Sequence, residues 1–280
     1  MTPARVAAAF RAACLAELDA PKPGNVHRHA EGHRMTVADF VASAGAAAPA
    51  LAAPGVPVGR RILAAVEATR AAVGQNTNLG IVLLCAPLAA VAERAPDTAA
   101  LWPTLGATLA RLTVDDARLA YRAIRLANPG GLGRSGEADV ADEPAVTLLD
   151  AMRLASDRDR IAWNYAHGLA DVRELGLPRL AALADAGWPG PYATAGTYLA
   201  FLARVPDTHV ARKHGVPTAE ALRARAAVVE ARLLAAPDPT ALLPDLLAFD
   251  AELKTAGLNP GTSADLTVAT LFARALVAGA

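Results

Sequence analysis

What limits this chain most is the placement of its helix breakers. Helix-length stretches rich in alanine and leucine are separated by short knots of proline, glycine and polar residues. Alanine and leucine lose little side-chain freedom on a helix, so such stretches favour it. Proline lacks an amide hydrogen and restricts the residue before it, so no helix runs through the knots. Runs of Val, Ile and Thr with period-two alternation, which strands need, are hard to find. The expectation is an all-α fold: a single multi-helix domain over residues 1–280, with polar active-site loops between helices and no linker long enough to divide it.

The first apolar stripe uses Val6, Ala9, Phe10, Ala13 and Cys14, takes in Glu17, and stops before Pro21. Thr36 reads as the N-cap of a helix through Ala53, with Asp39 in its first turn. Further helices are predicted over 59–73, 79–93 with a kink at Pro87, 97–110, 113–127, 143–155, 158–174, 177–186, 191–204, 217–235, 239–256 and 263–279. A glycine-rich loop runs from Asn128 to Glu137.

Composition removes several classes of function. With 27 basic and 27 acidic residues the formal net charge is zero, which lacks the basic surplus of a nucleic-acid binder. Proline, glycine or a charge interrupts every apolar run before it reaches the roughly eighteen residues a membrane span needs. The N-terminus reads as an amphipathic first helix and not as a signal peptide, which points to the cytoplasm. Cys14 and Cys85 have no CxxC partner, so thiolate metal sites and redox motifs are not expected, and both read as core residues.

Four polar knots carry the remaining information. In Glu17–His27, Pro21 and Pro23 stiffen the chain around Lys22, and an ammonium held in a stiff loop suits a phosphate; the plainer reading is a lysine at a helix C-terminus. In Gly74–Gly80, Asn76, Thr77 or Asn78 can cap the next helix, whose first amides would accept an anion. In Val205–Gly215, Asp207 can cap a turn or ligate a metal, and Arg212, Lys213 and His214 form the densest basic spot of the chain, a solvated charge run being the plainer reading. In Asn259–Leu266, Thr262 or Ser263 can cap, with Asp265 in the first turn of the last helix.

Taken together, Lys22-Pro23-Gly24, Gly74-x-Asn76-Thr77-x-x-Gly80, Asp207-Thr208 and Pro260-Gly261-x-Ser263-Ala264-Asp265-Leu266 stand in the order seen in the triphosphoribosyl-dephospho-CoA synthases, which the chain resembles. Asp159-x-Ile161-Ala162-x-x-Tyr165 and Asp250-x-x-Leu253 look like further family segments, so the resemblance covers nearly the whole chain. It implies an all-α enzyme that moves the triphosphoribosyl group of ATP to the 2′-hydroxyl of 3′-dephospho-CoA and releases adenine. The chain departs from the usual pattern at Asn25-Val26-His27, His33-Arg34-Met35-Thr36, His209, Arg212-Lys213-His214 and Thr262. Those departures are similar to a subgroup linked to tetrahydromethanopterin C1 pathways.

Cleaving the bond between ribose C1′ and adenine builds positive charge on the sugar, which a carboxylate can stabilise while another takes the acceptor's proton. Asp265, Asp207 and Glu17 are the candidate catalytic carboxylates. Asp207, Asp265 and Asp159 are the candidate ligands of Mg²⁺, the cofactor that the resemblance implies. Lys22, Gly24, Asn76, Thr77, Arg212, Lys213 and Ser263 are assigned to nucleotide and substrate. The partners are then small molecules, ATP with dephospho-CoA or another acceptor, with no nucleic acid or membrane; a homodimer is compatible with the sequence. Three alternatives stay open on the residues alone. They are a related nucleotide-dependent enzyme of C1-cofactor biosynthesis with a different acceptor, a Mg²⁺-dependent nucleotide hydrolase, and a helical scaffold whose polar knots are only caps.

Overall fold

Breakers and caps divide the chain much as the sequence predicts. A computed structural model of the protein describes residues 1–94, 99–130 and 137–278. Among them lie fourteen α-helices and no strand. The helices are α1 (Pro3–Asp19), α2 (Val37–Leu51), α3 (Val58–Val73), α4 (Leu79–Ala92), α5 (Leu101–Leu109), α6 (Val114–Ala127), α7 (Leu148–Ala155), α8 (Arg160–Ala166), α9 (Leu177–Asp185), α10 (Gly190–Arg204), α11 (Thr208–His214), α12 (Val216–Ala235), α13 (Leu243–Thr255) and α14 (Gly261–Ala278). The glycine-rich residues 131–136, the predicted helix start at 97–98 and residue 279 lie outside the described residues. No described helix is long and apolar enough to cross a membrane.

The predicted helix over 143–155 begins only at Leu148, and the one over 239–256 opens with a 3-10 turn, Pro239–Leu242. Three further differences have a local reason. The predicted helix over 158–174 breaks after α8, where Gly168 (φ 62°) and Leu169 (φ 56°) take left-handed backbone, and resumes as a π-helical turn, Asp171–Gly176. The knot before Gly215 contains α11, because Asp207 caps it. The last helix starts at Gly261, two residues early, so Asp265 falls in its second turn and not its first.

The described chain forms two compact units, each assembled from separated segments. The first comprises Met1–Ala13, Val41–Ala170 and Phe272–Ala280. Its centre is α4, apolar all round and buried along its whole length, as such a helix must be. Gly59 lets α3 approach α6: a Cβ there would lie 2.5 Å from the Asp116 Cα, and the Gly59 amide donates to Asp116 Oδ1 at 2.8 Å. Asp116 also completes a capping box with Thr113 at the start of α6.

The second unit comprises Cys14–Phe40 and Asp171–Leu271. Its core gathers Tyr198, Leu199 and Leu202 of α10, Val210 of α11, Leu222 and Leu233 of α12, and Leu246, Phe249 and Leu253 of α13. Thr36 and Asp39 cap α2 reciprocally: the Thr36 amide donates to Asp39 Oδ2 at 2.8 Å and the Asp39 amide to Thr36 Oγ1 at 3.1 Å.

Candidate functional site

In the second unit the polar knots at 22–25, 207–209 and 259–263 are joined by hydrogen bonds and close packing. Lys22, expected as an ammonium held in a stiff loop to meet a phosphate, is 0% exposed. Its ammonium donates to Glu17, to Asn25 Oδ1 at 2.9 Å and to the Val26 carbonyl at 2.8 Å, which uses all three of its protons. Burial pushes the Glu17 carboxyl above its ordinary range and the Lys22 ammonium below its own, while their mutual attraction opposes both shifts.

Gly24 is held from every side. Its amide donates to Asp250 Oδ1 at 2.8 Å, and its carbonyl lies 2.8 Å from His33 Nε2. A Cβ there would stand 2.8 Å from Pro260 Cδ and 3.0 Å from Leu253 Cδ1, and the backbone is left-handed at φ 83°, so only glycine fits. Asn25 Nδ2 donates to Asn259 Oδ1 at 2.8 Å, and the Tyr198 hydroxyl donates to the Pro23 carbonyl at 2.7 Å. The Lys-Pro-Gly motif and the Asn-Pro-Gly motif therefore meet directly.

Asp207 joins two helix starts. Its Oδ1 accepts from the His209 and Val210 amides at 3.0 and 3.1 Å, capping α11; its Oδ2 accepts from the Ser263 amide and hydroxyl at 2.8 and 2.9 Å, capping α14. Four donors fill the four lone-pair sites of this buried carboxylate. Burial raises its pKa and these hydrogen bonds oppose the rise. Beside it the His209 amide also reaches Thr262 Oγ1 at 3.2 Å, and a Cβ on Gly261 would lie 2.3 Å from His209 Nδ1. The second Pro-Gly thus exists to let an imidazole pack on the first turn of α14.

Asp250, on α13, is 2% exposed and gathers three groups: the Gly24 amide, Lys254 Nζ at 2.9 Å on Oδ2, and His27 Nε2 at 3.4 Å from Oδ1. Burial pushes its pKa up, but His27 and Lys254 outweigh burial and hold it below the ordinary carboxylate value. His27 is wholly buried, and its Nδ1 accepts from the His29 amide at 3.2 Å. The ring proton therefore belongs on Nε2, which faces Asp250 Oδ1 at 3.4 Å and has no closer hydrogen-bond partner among the described residues. Lys254 also donates to the Ala30 carbonyl at 2.9 Å.

A group of bases surrounds this frame. Burial depresses the His33 and His27 pKa values, and burial with Lys213 and Arg212 pushes His209 down to about 3. Arg212 is half-buried and Lys213 exposed on α11; Asp265 is half-buried on α14, while Ser263 is buried with its hydroxyl given to Asp207. The other predicted residues lie in the first unit. Asn76 Oδ1 accepts from the Leu79 amide at 3.1 Å, Thr77 shares a hydrogen bond of 2.6 Å with Ser43, and Asp159 caps α8 through the Ile161 and Ala162 amides. Among the described residues no group of three or more His, Cys, Asp or Glu could hold a metal ion. The sequence reading marks Asn25, His27 and His33 only as departures from the family pattern and gives Lys254 and Asn259 no role; the contacts Asn25–Asn259 and Lys254–Ala30 that tie them together span the chain.

A sequence profile of the family described as ATP:dephospho-CoA triphosphoribosyl transferase matches residues 3–280. A crystal structure from Archaeoglobus fulgidus, bearing the provisional name triphosphoribosyl-dephospho-CoA synthase, is similar at a TM-score of 0.64 and 25% identity, over 85% of this chain and 98% of that one. No curated protein matches.

Proposed function

The chain belongs to the family of ATP:dephospho-CoA triphosphoribosyl transferases, and from that premise we propose that the joined motifs of its second unit form the ATP site. The enzyme transfers the triphosphoribosyl group of ATP to 3′-dephospho-CoA and releases adenine. One observation carries the site: the Lys22–Asn25 turn, the cap of α11 and the start of α14 interlock through Gly24, Asp207, Asn259 and Ser263.

The interlock divides labour among the candidate residues. Glu17, Lys22, Asp207 and Ser263 hydrogen-bond to one another, to Asn25 or to backbone, so their part is to hold the frame. Arg212 and Lys213, at the end of α11, meet the triphosphate, where guanidinium and ammonium form charge-assisted hydrogen bonds to phosphate oxygens. Asp265, half-buried, faces the charge that develops at C1′ as the bond to adenine breaks. Mg²⁺, when bound, neutralises part of the triphosphate charge. A single carboxylate such as Asp265 with phosphate oxygens and waters fits the ligand set that Mg²⁺ favours, and a dedicated protein cage is not required.

Adenine release from ATP, followed with and without dephospho-CoA, tests this reading. Asp265→Asn should lower kcat by on the order of a hundredfold with the unfolding midpoint kept, as befits loss of a charge aimed at the reacting carbon. Arg212→Ala should raise KM for ATP by roughly tenfold, the size of one charge-assisted hydrogen bond. Normal turnover by the Asp265 variant would remove that residue from the chemistry, and adenine release indifferent to dephospho-CoA would point to another acceptor.

A further inference from the structure

Asp250 lies outside the roles assigned above, yet it is where the loop following Lys22 is tied down. It accepts from the Gly24 amide on one oxygen and from Lys254 Nζ on the other, with His27 Nε2 3.4 Å from Oδ1. Lys254 extends the tie: its ammonium also holds the Ala30 carbonyl, and its aliphatic carbons pack on Gly32, where a Cβ would come within 3.0 Å of Cε. The segment so held makes two tight reversals, His27 to Ala30 and Gly32 to Met35. The second has left-handed backbone at both central residues, His33 (φ 56°) and Arg34 (φ 63°), a geometry that turns normally give to Asn and Gly. Unfavourable backbone persists only where its surroundings over-determine it, and Asp250, Lys254 and the His33–Gly24 hydrogen bond supply that constraint. Whereas the Asp250 side chain is 3% exposed, that of Lys254 is 14% exposed, so the tie runs from the core to the surface.

We propose that Asp250 is a positioning residue of the ATP site, acting through Gly24 and Lys254 to fix the 27–35 loop and the His33 and Arg34 side chains that it carries. This rests on the second unit being the ATP site. The carboxylate touches no substrate. It sets where the loop stands before ATP arrives, so its loss is felt as substrate affinity and not as the rate of bond breaking. Asp250→Asn is the sharper probe, because an amide can still accept from Gly24 while its NH₂ turns a donor toward Lys254. Lys254→Met cuts the same tie from its exposed end.

The test measures Kd for ATP by titration calorimetry and KM and kcat by adenine release, for Asp250→Asn, Lys254→Met and the double variant. Each single change should weaken ATP binding by roughly tenfold, the size of one charge-assisted hydrogen bond, with kcat close to wild type. The double variant should be little worse than either, because the two residues act as one unit. Unchanged Kd and KM in both single variants would reduce Asp250 to a fold anchor and overturn the proposal, as would effects that multiply in the double. Should Asp250→Asn fail to fold, Lys254→Met decides by the same criterion. A wild-type protein that binds ATP without releasing adenine would undo the assigned reaction, while the Kd comparison would still judge Asp250.

Discussion

Arg34 shows how much one position can disclose. It is an exposed residue in left-handed backbone, where a Cβ crowds the following carbonyl. Glycine there relieves roughly 1–2 kcal/mol of that crowding and gives back about 0.5–1 kcal/mol through the freedom it adds to the unfolded chain. Arg34→Gly should therefore stabilise the protein slightly, by several tenths of a kcal/mol up to about 1, read as a higher urea midpoint. Lys22 teaches the opposite lesson. Its neighbours in sequence, two prolines and a glycine, describe a stiff loop correctly, but they carry no information on what packs over it. Asp250, Leu253 and Pro260, more than two hundred positions away, close over Gly24 two residues on, and so burial of this loop was not legible. Removing one partner of a buried pair leaves the other uncompensated, so Lys22→Met should cost on the order of 3–5 kcal/mol. Adding Glu17→Gln in the same chain should recover part of that loss in the same unfolding assay.

Between elements, the decisive joint is that of α11 with α14. The capping powers of Asp207 and Thr36 were readable in the sequence, because a cap acts on amides two or three residues ahead; that of Asp159 was not, since the predicted helix began before it. That Asp207 caps two helices at once was not, since the second set of donors belongs to Ser263, 56 residues on. The start of α14 was misplaced for a related reason: Gly261 reads as part of a turn until the His209 ring packed against it is known. The broken helix after α8 escaped notice because Leu169 gives no warning of a positive φ. Gly261→Ala should destabilise the protein by about 1–3 kcal/mol through overpacking. The double change with His209→Ala should restore much of that stability, because the methyl group then has somewhere to go. Equal losses in the single and double variants would show that the ring is not what Gly261 accommodates.

For the whole molecule, protons and sequence distance set the terms. His27, His33 and His209 are kept neutral mainly by burial, His209 down to about pH 3, whereas in the unfolded chain each takes a proton near 6.5. Below that value these three histidines bind more protons in the unfolded state than in the folded one, so their contribution to stability should be full at pH 7.5 and fall toward pH 5, while the raised Glu17 and Asp207 carboxyls act in the opposite sense. Urea midpoints across that range check this, and His209→Gln should flatten the slope. Helix content was legible throughout because it depends on neighbours, whereas the division into two units assembled from separated segments was not. That division bears on how the protein is made. Gly24 waits for Asp250, 226 positions later, and Asn25 for Asn259, 234 positions later. At about 5–20 residues per second, a ribosome needs on the order of ten seconds or more to cover that distance. Throughout that interval Glu17 and Lys22 lack the later segments that pack around the Gly24 turn beside them. The polar core of the second unit closes only after α13 and the start of α14 have emerged.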